Sequence, residues 1–266
     1  MSSEVETSLE ISGSTTIQRF LDSPRNDNAQ QATRPLFTEL TIYHDESRHS
    51  AAMNMSVDEA LLESASIPTI RFYRWRSPAL SFGYFGKFSN VAIYAVERDL
   101  VRRWTGGGIV FHGDDLTYSI VIPATDPAFD ESSITIYEKI HQALSAALNG
   151  IGERAVVAGP VDPGSISAAR TAGVTGARYS CFVNPVRADV MIGGRKVAGA
   201  AQRRIRRGLL QQGSIQGVNL DNGLADSFAD ALSANCSEFK ITEEILKRAQ
   251  ELDEQKYGID NWLRKR

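Results

Sequence analysis

The fold is decided by Val186-Arg187-Ala188-Asp189-Val190-Met191-Ile192-Gly193-Gly194-Arg195-Lys196-Val197-Ala198-Gly199-Ala200-Ala201. Val186, Ala188, Val190 and Ile192 fall at every second position, the period of a strand with one buried face. Gly193-Gly194 lets the chain turn in two residues and return as an antiparallel strand. That register sets Lys196 opposite Met191, and regular alternation puts it on one face with Ala198 and Ala200. Small neighbours beside a lysine leave room for a substrate chain. The same pattern also suits a surface lysine at a hairpin end.

Outward from the hairpin, strands and helices intersperse. Leu36–Tyr43 reads as a strand with Leu36, Leu40 and Ile42 on one face, and Ile70–Trp75 as another, stopped by Ser77-Pro78. Between them Ser56 and Glu59 have capping-box spacing, so a helix is expected over 56–65. Leu116–Ile122 is a strand ended by Pro123. Residues 134–149 carry Ile136, Ile140, Ala143, Leu144 and Ala147 on one helical face, with Gly150 as the cap. Residues 159–177, dense in Gly, Pro, Ser and Ala, read as a long mobile loop. Residues 208–218 form a further strand, and the tail is helical through Leu224, Phe228 and Leu232, then Ile245, Leu246, Ala249 and Leu252. The class is α+β with a mixed sheet flanked by helices. A polar leader over 1–34 precedes a single domain over 35–266.

The 266 residues are 42% hydrophobic and 23% charged, and 29 Lys+Arg against 32 Asp+Glu leave a net charge of −3, so no basic field suggests nucleic acid. No apolar run reaches the roughly 18–20 residues of a membrane span. Two cysteines, Cys181 and Cys236, make no disulfide framework. Free thiols and an acidic, polar start point to the cytoplasm.

Three segments carry chemistry. In Arg102-Arg103-Trp104-Thr105-Gly106-Gly107-Gly108-Ile109-Val110-Phe111-His112, the glycines let backbone approach a ligand closely, and the arginines favour an anionic one. His112 with Asp114 and Asp115 lacks the second His or Cys that a metal site needs, so none is expected. Ser180-Cys181-Phe182 ends the long loop, a setting that favours a reactive cysteine over a buried inert one. Cys236, in the tail, reads as structural. The run Arg203-Arg204-Ile205-Arg206-Arg207 is a solvated hairpin tip or a basic spot for an acidic partner protein.

Together with Asn54…Asp58-Glu59-Ala60, Arg71…Trp75, Leu116-Thr117-Tyr118-Ser119 and Gln212-Gly213-Ser214-Ile215, these segments resemble the lipoate branch of the biotin/lipoate protein ligase superfamily. The resemblance implies that family's catalytic-domain fold. The Ser-Cys-Phe loop upstream of Lys-Val-x-Gly is most similar to the cysteine-dependent octanoyltransferases. These take octanoate from octanoyl-acyl carrier protein as a cysteine thioester, without ATP, and pass it to a lysine of a lipoyl domain or glycine-cleavage H protein. By that resemblance Cys181 and Lys196 are catalytic, Lys196 stabilising the thiolate and then serving as base. Arg103, Thr105, Gly106, Gly107, Gly108, His112, Ala198, Gly199 and Ala200 bind substrate, and no cofactor is required. The alternatives are an ATP- and Mg-dependent lipoate–protein ligase chain without its accessory domain, and a non-catalytic acyl- or lipoyl-binding protein.

Overall fold

The computed structural model describes residues 35–159 and 186–265. The leader over 1–34, the long loop from 160 onward and Ser180-Cys181-Phe182 lie outside the described residues. In chain order the elements are β1 (Leu40–His49), α1 (Ala51–Ser64), β2 (Thr69–Trp75), β3 (Ala79–Phe82), two 3-10 turns (Phe88–Asn90, Ala92–Val96), β4 (Asp99–Arg102), β5 (Ile109–His112) and β6 (Leu116–Pro123). A third 3-10 turn (Pro127–Asp130), α2 (Ser133–Gly150), β7 (Ala155–Val157), β8 (Val190–Ile192), β9 (Arg195–Ile205) and β10 (Gly208–Ile215) follow. The chain closes with α3 (Leu224–Leu232), β11 (Cys236–Glu238), α4 (Glu243–Leu252), a π turn (Asp253–Tyr257) and α5 (Asp260–Leu263).

Among the described residues, eight strands form one sheet in the order β11-β1-β2-β6-β10-β9-β8-β7, and β4-β3-β5 form a smaller one. Pairing is parallel between β11, β1 and β2 and antiparallel from β2 to β7, so the large sheet is mixed, as expected.

Strand alternation divides the core into two layers. Ile70, Phe72, Tyr118, Ile120, Ile122 and Leu209 face Ile136, Ile140 and Leu144 of α2 and Phe228 and Leu232 of α3. Tyr73, Trp75, Val121 and Leu210 point the other way, against Met55, Leu61 and Leu62 of α1 and Ala249 and Leu252 of α4. On that second face polar residues interrupt the apolar ones: Arg71, Thr117, Ser119, Gln212 and Ser214 are all buried. Among the described residues no helix is long and apolar enough to cross a membrane.

Several local expectations change. Helix α1 begins at Ala51, with Ser50 as its cap accepting a hydrogen bond from the Met53 N–H. Ser56 lies inside the helix and donates to the Ala52 carbonyl, so Ser56 and Glu59 are not a capping box. Gly150 is the last residue of α2, and Gly152 takes the positive φ, 95°. The hairpin turn at Gly193-Gly194 is present, but Val186 is exposed and Ala188 has φ 68°, so β8 starts only at Val190. Cys236 sits on β11, a strand where helix was expected.

The Ala188 conformation is unusual for a residue with a Cβ, and a buried wire braces it. The Gln211 amide donates to Tyr118 Oη, Tyr118 donates to His141 Nε2, and His141 Nδ1–H donates to the Ala188 carbonyl at 2.6 Å. Burial pushes His141 down to about 4 from 6.5, so folding favours the neutral ring. The unfolded chain therefore binds more protons below pH 6.5, and stability falls as pH drops from 6.5 toward 4. His112, also pushed down by burial, adds to the same trend. His141→Gln is expected to remove up to about 1.4 kcal/mol per pH unit from that slope. Urea unfolding at pH 7, 6, 5 and 4.5 measures it; an unchanged slope contradicts the assignment.

Candidate active site

The buried polar stripe converges on Asp58 of α1. Its Oδ1 accepts from Arg71 Nη1 at 2.8 Å and from Ser119 Oγ at 2.7 Å. Its Oδ2 accepts from Tyr73 Oη at 3.0 Å and Gln212 Nε2 at 2.7 Å. Arg71 is fully buried and also donates to Asp45 Oδ2 at 2.6 Å and to the Asn54 side-chain oxygen at 2.7 Å. Asp45 in turn is held down at about 2; burial acts against this, and the His49 hydrogen bond and the Arg71 charge outweigh it.

Gln212 passes this anchorage to the glycine segment, since its Oε1 accepts from Thr105 Oγ1 at 2.8 Å. The two arginines before that segment take separate roles. Arg102 is spent on carbonyls: Tyr84 and Gly86 on one side, Trp262 and Leu263 of the tail on the other. Arg103 donates to Ser81 Oγ at 2.7 Å and to the carbonyls of Gly106 and Gly108 at 3.0 and 2.9 Å, bracing the glycine turn. A Cβ on Gly83 would stand 2.1 Å from the Gly107 carbonyl oxygen, so β3 can meet this turn only through glycine.

These elements line a partly open pocket between the two sheets. Met55, Tyr73, Trp75 and Val110 give it apolar walls, and Ser81, Arg103 and His112 line the side toward the small sheet. Thr117, Lys196, Gly199, Ala200, Ala201, Gln212 and Ser214 line the large-sheet side. Arg103, His112, Lys196, Gly199 and Ala200 thus line one pocket, and Thr105 is buried outside its lining.

Ala198 does not. Val190 pairs with Ala198 and Met191 with Lys196, so Val197 is an extra residue and the alternation breaks there. Lys196 consequently shares the pocket with Gly199 and Ala201, while Ala198 is packed in the core of α2 and α3. Lys196 Nζ lies 2.8 Å from Asp189 Oδ2, both side chains buried. Asp189 also accepts from Tyr137 Oη at 2.8 Å and the Val186 N–H at 2.7 Å. A Cβ on Gly199 would come within 2.5 Å of the Lys196 ammonium, so glycine here lets the side chain lie across its own strand.

Near the small sheet a second chain of bonds runs through His112. Its Nδ1 lies 2.7 Å from Asp115 Oδ2, its Nε2 2.7 Å from Ser81 Oγ, and its ring stacks on Trp75 at 4.0 Å. Asp115 Oδ2 also accepts from Thr117 and Ser214, and Oδ1 from the Gly113 N–H. Burial opposes ionisation of Asp115, yet His112 and these hydrogen bonds hold its carboxyl below the ordinary range. Burial pushes His112 down against the pull of Asp115.

The lipoyl protein ligase A/B catalytic domain model matches residues 50–257. The chain belongs to this family. The octanoyltransferase LipM of Symbiobacterium thermophilum is 32% identical over 79% of the chain and 92% of that protein. The LipM of Anoxybacillus flavithermus is 31% identical over 86% and 99%. Among solved structures, protein Ta0514 of T. acidophilum with bound lipoic acid superposes with a TM-score of 0.65 at 22% identity, covering 86% of this chain and all of that one. Lipoate-protein ligase A bound with ATP gives 0.64 at 22%, covering 85% and 98%. These likenesses carry the fold.

The sequence reading missed Ser81, Asp115, Asp189 and the Asp58–Arg71–Gln212 system as site components. Its signal was present: Thr117 and Ser119 in Leu-Thr-Tyr-Ser-Ile-Val-Ile, and Gln212 and Ser214 in Leu-Leu-Gln-Gln-Gly-Ser-Ile, put polar groups on one face of otherwise apolar strands. The arginine run is a hairpin tip with its side chains partly engaged. Arg204 donates to the Phe129 and Glu131 carbonyls, Arg207 to the Glu63 carbonyl, and Arg203 lies over Trp104.

Arg71→Met leaves Asp45 and Asp58 buried without their cation and is expected to cost about 3–5 kcal/mol of stability. Urea unfolding measures this, and a loss below about 1 kcal/mol contradicts it. Gly199→Ala is expected to fold but to displace the Lys196 ammonium from Asp189, which a crystal structure of the variant would show.

Proposed function

We propose that the protein takes an octanoyl group from octanoyl-acyl carrier protein onto Cys181 and passes it to a lysine of a lipoyl domain or glycine-cleavage H protein. The observation that carries this reading is the Lys196–Asp189 pair on the wall of a pocket with apolar sides, in a chain whose relatives over nearly their whole length are named octanoyltransferases. A thiol near its ordinary pKa is only a few per cent thiolate at neutral pH, and a nearby ammonium favours the thiolate. Lys196, locked by Asp189, offers that fixed positive charge. Val186 is bonded to the same Asp189, and Cys181 is five residues earlier, within about 17 Å of extended chain.

Thioester exchange conserves the energy of the acyl–sulfur bond, so no nucleotide is consumed. The octanoyl thioester carbonyl is attacked by the Cys181 thiolate, the carrier thiol leaves, and the acceptor amine then displaces Cys181 to leave an amide. The chain packs against Met55, Tyr73, Trp75 and Val110, and at about 0.8 kcal/mol per buried CH₂ it contributes several kcal/mol of binding.

Incubation with octanoyl-acyl carrier protein is expected to add one octanoyl mass, mapped to Cys181 by tandem mass spectrometry. Cys181→Ala should form no adduct and no octanoylated acceptor. A label on Cys236 alone, or transfer by Cys181→Ala without ATP, overturns the reading.

A further inference from the structure

Exposure separates the two ends of the pocket. Gly199, Ala200 and Ala201 of β9 and Val110 of β5 are partly exposed and form its mouth. Tyr73 and Trp75 of β2, Thr117 of β6, Gln212 and Ser214 of β10 and Met55 of α1 are buried and form its inner end. The strand order β2-β6-β10-β9 therefore runs from the closed end to the open one. A carrier-bound acyl group has a protein attached at its carbonyl end, which cannot enter, so its methyl end must lead toward β2.

Most residues of the inner end are polar, yet their hydrogens are already spent. Trp75 Nε1 donates to Thr117 Oγ1 at 2.8 Å, and Thr117 and Ser214 donate to Asp115 Oδ2 at 2.9 and 2.8 Å. Tyr73 Oη donates to Asp58, and Gln212 gives one N–H to Asp58 and the other to Met55 Sδ at 3.2 Å. An indole, a hydroxyl and a phenol have one hydrogen each and an amide has two, so the inventory closes. Strands β2, β6 and β10 are paired on both sides, so the ladders take up their backbone N–H groups. The lining cations are engaged elsewhere, Lys196 on β9 with Asp189 and Arg103 with Ser81 and the glycine turn. Among the described residues of the inner end, every side-chain donor is thus turned into the wall. We infer that this end is a donor-free cage that selects an unsubstituted hydrocarbon terminus and rejects a chain carrying a carbonyl, or another pure acceptor, beside its methyl group. Such an acceptor loses its water on entry and meets no N–H or O–H in return. No wall hydrogen can turn to it without depriving a buried carboxylate of a donor. The inference rests on the octanoyl-transfer reading above and adds the chemistry of the chain end.

The test uses the full chain and an acyl carrier protein whose acyl group is held by an amide in place of the thioester, so that nothing reacts. Calorimetry compares the unloaded carrier with three loaded forms. One carries plain octanoyl, one has a ketone on the carbon beside the methyl, and one has a methylidene group (C=CH₂) there, which keeps the ketone's shape without its acceptor. The ketone form is expected to bind about 10-fold more weakly than the octanoyl form, and the methylidene form within about 3-fold of it. A ketone form within about 3-fold of octanoyl, or a methylidene form that loses as much as the ketone, overturns the cage. Met55→Gln brings an amide donor to the inner end and is expected to narrow the octanoyl-to-ketone ratio. A ratio unchanged in this variant also counts against the cage, and the wild-type ratio decides alone if the variant does not fold. An octanoyl form that binds no better than the unloaded carrier overturns instead the octanoyl-transfer reading, and the cage with it.

Discussion

The buried pair of Arg71 and Asp58 is the constraint on which the pocket depends. A guanidinium without exposure and a carboxylate without exposure are each costly to remove from water, and they persist only because every partner is in place. Asp58 takes four donors from three strands of the large sheet, β2, β6 and β10, while sitting on α1. The pair therefore fixes the position of the helix over the sheet. Through Gln212 and Thr105 it also fixes the glycine turn that closes the pocket. The small sheet is held by a separate device, Arg102, which ties the tail to the Tyr84–Gly86 turn through carbonyl oxygens on both.

Two further carboxylates lie behind residues that line the cavity, with different consequences. Asp189 meets Lys196 and fixes its ammonium in place. Asp115 meets a histidine whose ring burial keeps neutral, and makes a fixed lone pair. Hydrogen bonds from Tyr137 and Val186 to Asp189, and from Thr117, Ser214 and Gly113 to Asp115, keep the two environments distinct.

Much of this was legible in the sequence. The face of α2 follows from periodicity, because burial on one face writes itself directly into residue order, while the turn at Gly193-Gly194 and the apolar run at 116–122 are local signals. The pocket residues Arg103, His112 and Lys196 stand in motifs short enough to read. The bulge at Val197 was not legible, since one extra residue shifts the faces without changing composition, and it moved Ala198 into the core. The start of α1 was misplaced because Ser50 and Ser56 are equally good caps in isolation, and Asp58 and Arg71 needed the following residues inside the fold. Asp189 and Ser81 found their partners across turns and strands that no local pattern specifies.

If the proposed octanoyl transfer holds, acyl transfer through this pocket draws on thioester energy alone. Its most direct measurement is the time course of amide formation on a lipoyl domain with octanoyl-acyl carrier protein as donor, after enzymatic removal of all nucleotide. Transfer from a carrier thioester predicts full conversion at a rate that added ATP and magnesium leave unchanged. Amide formation that appears only when free octanoate or lipoate is supplied with ATP would contradict it.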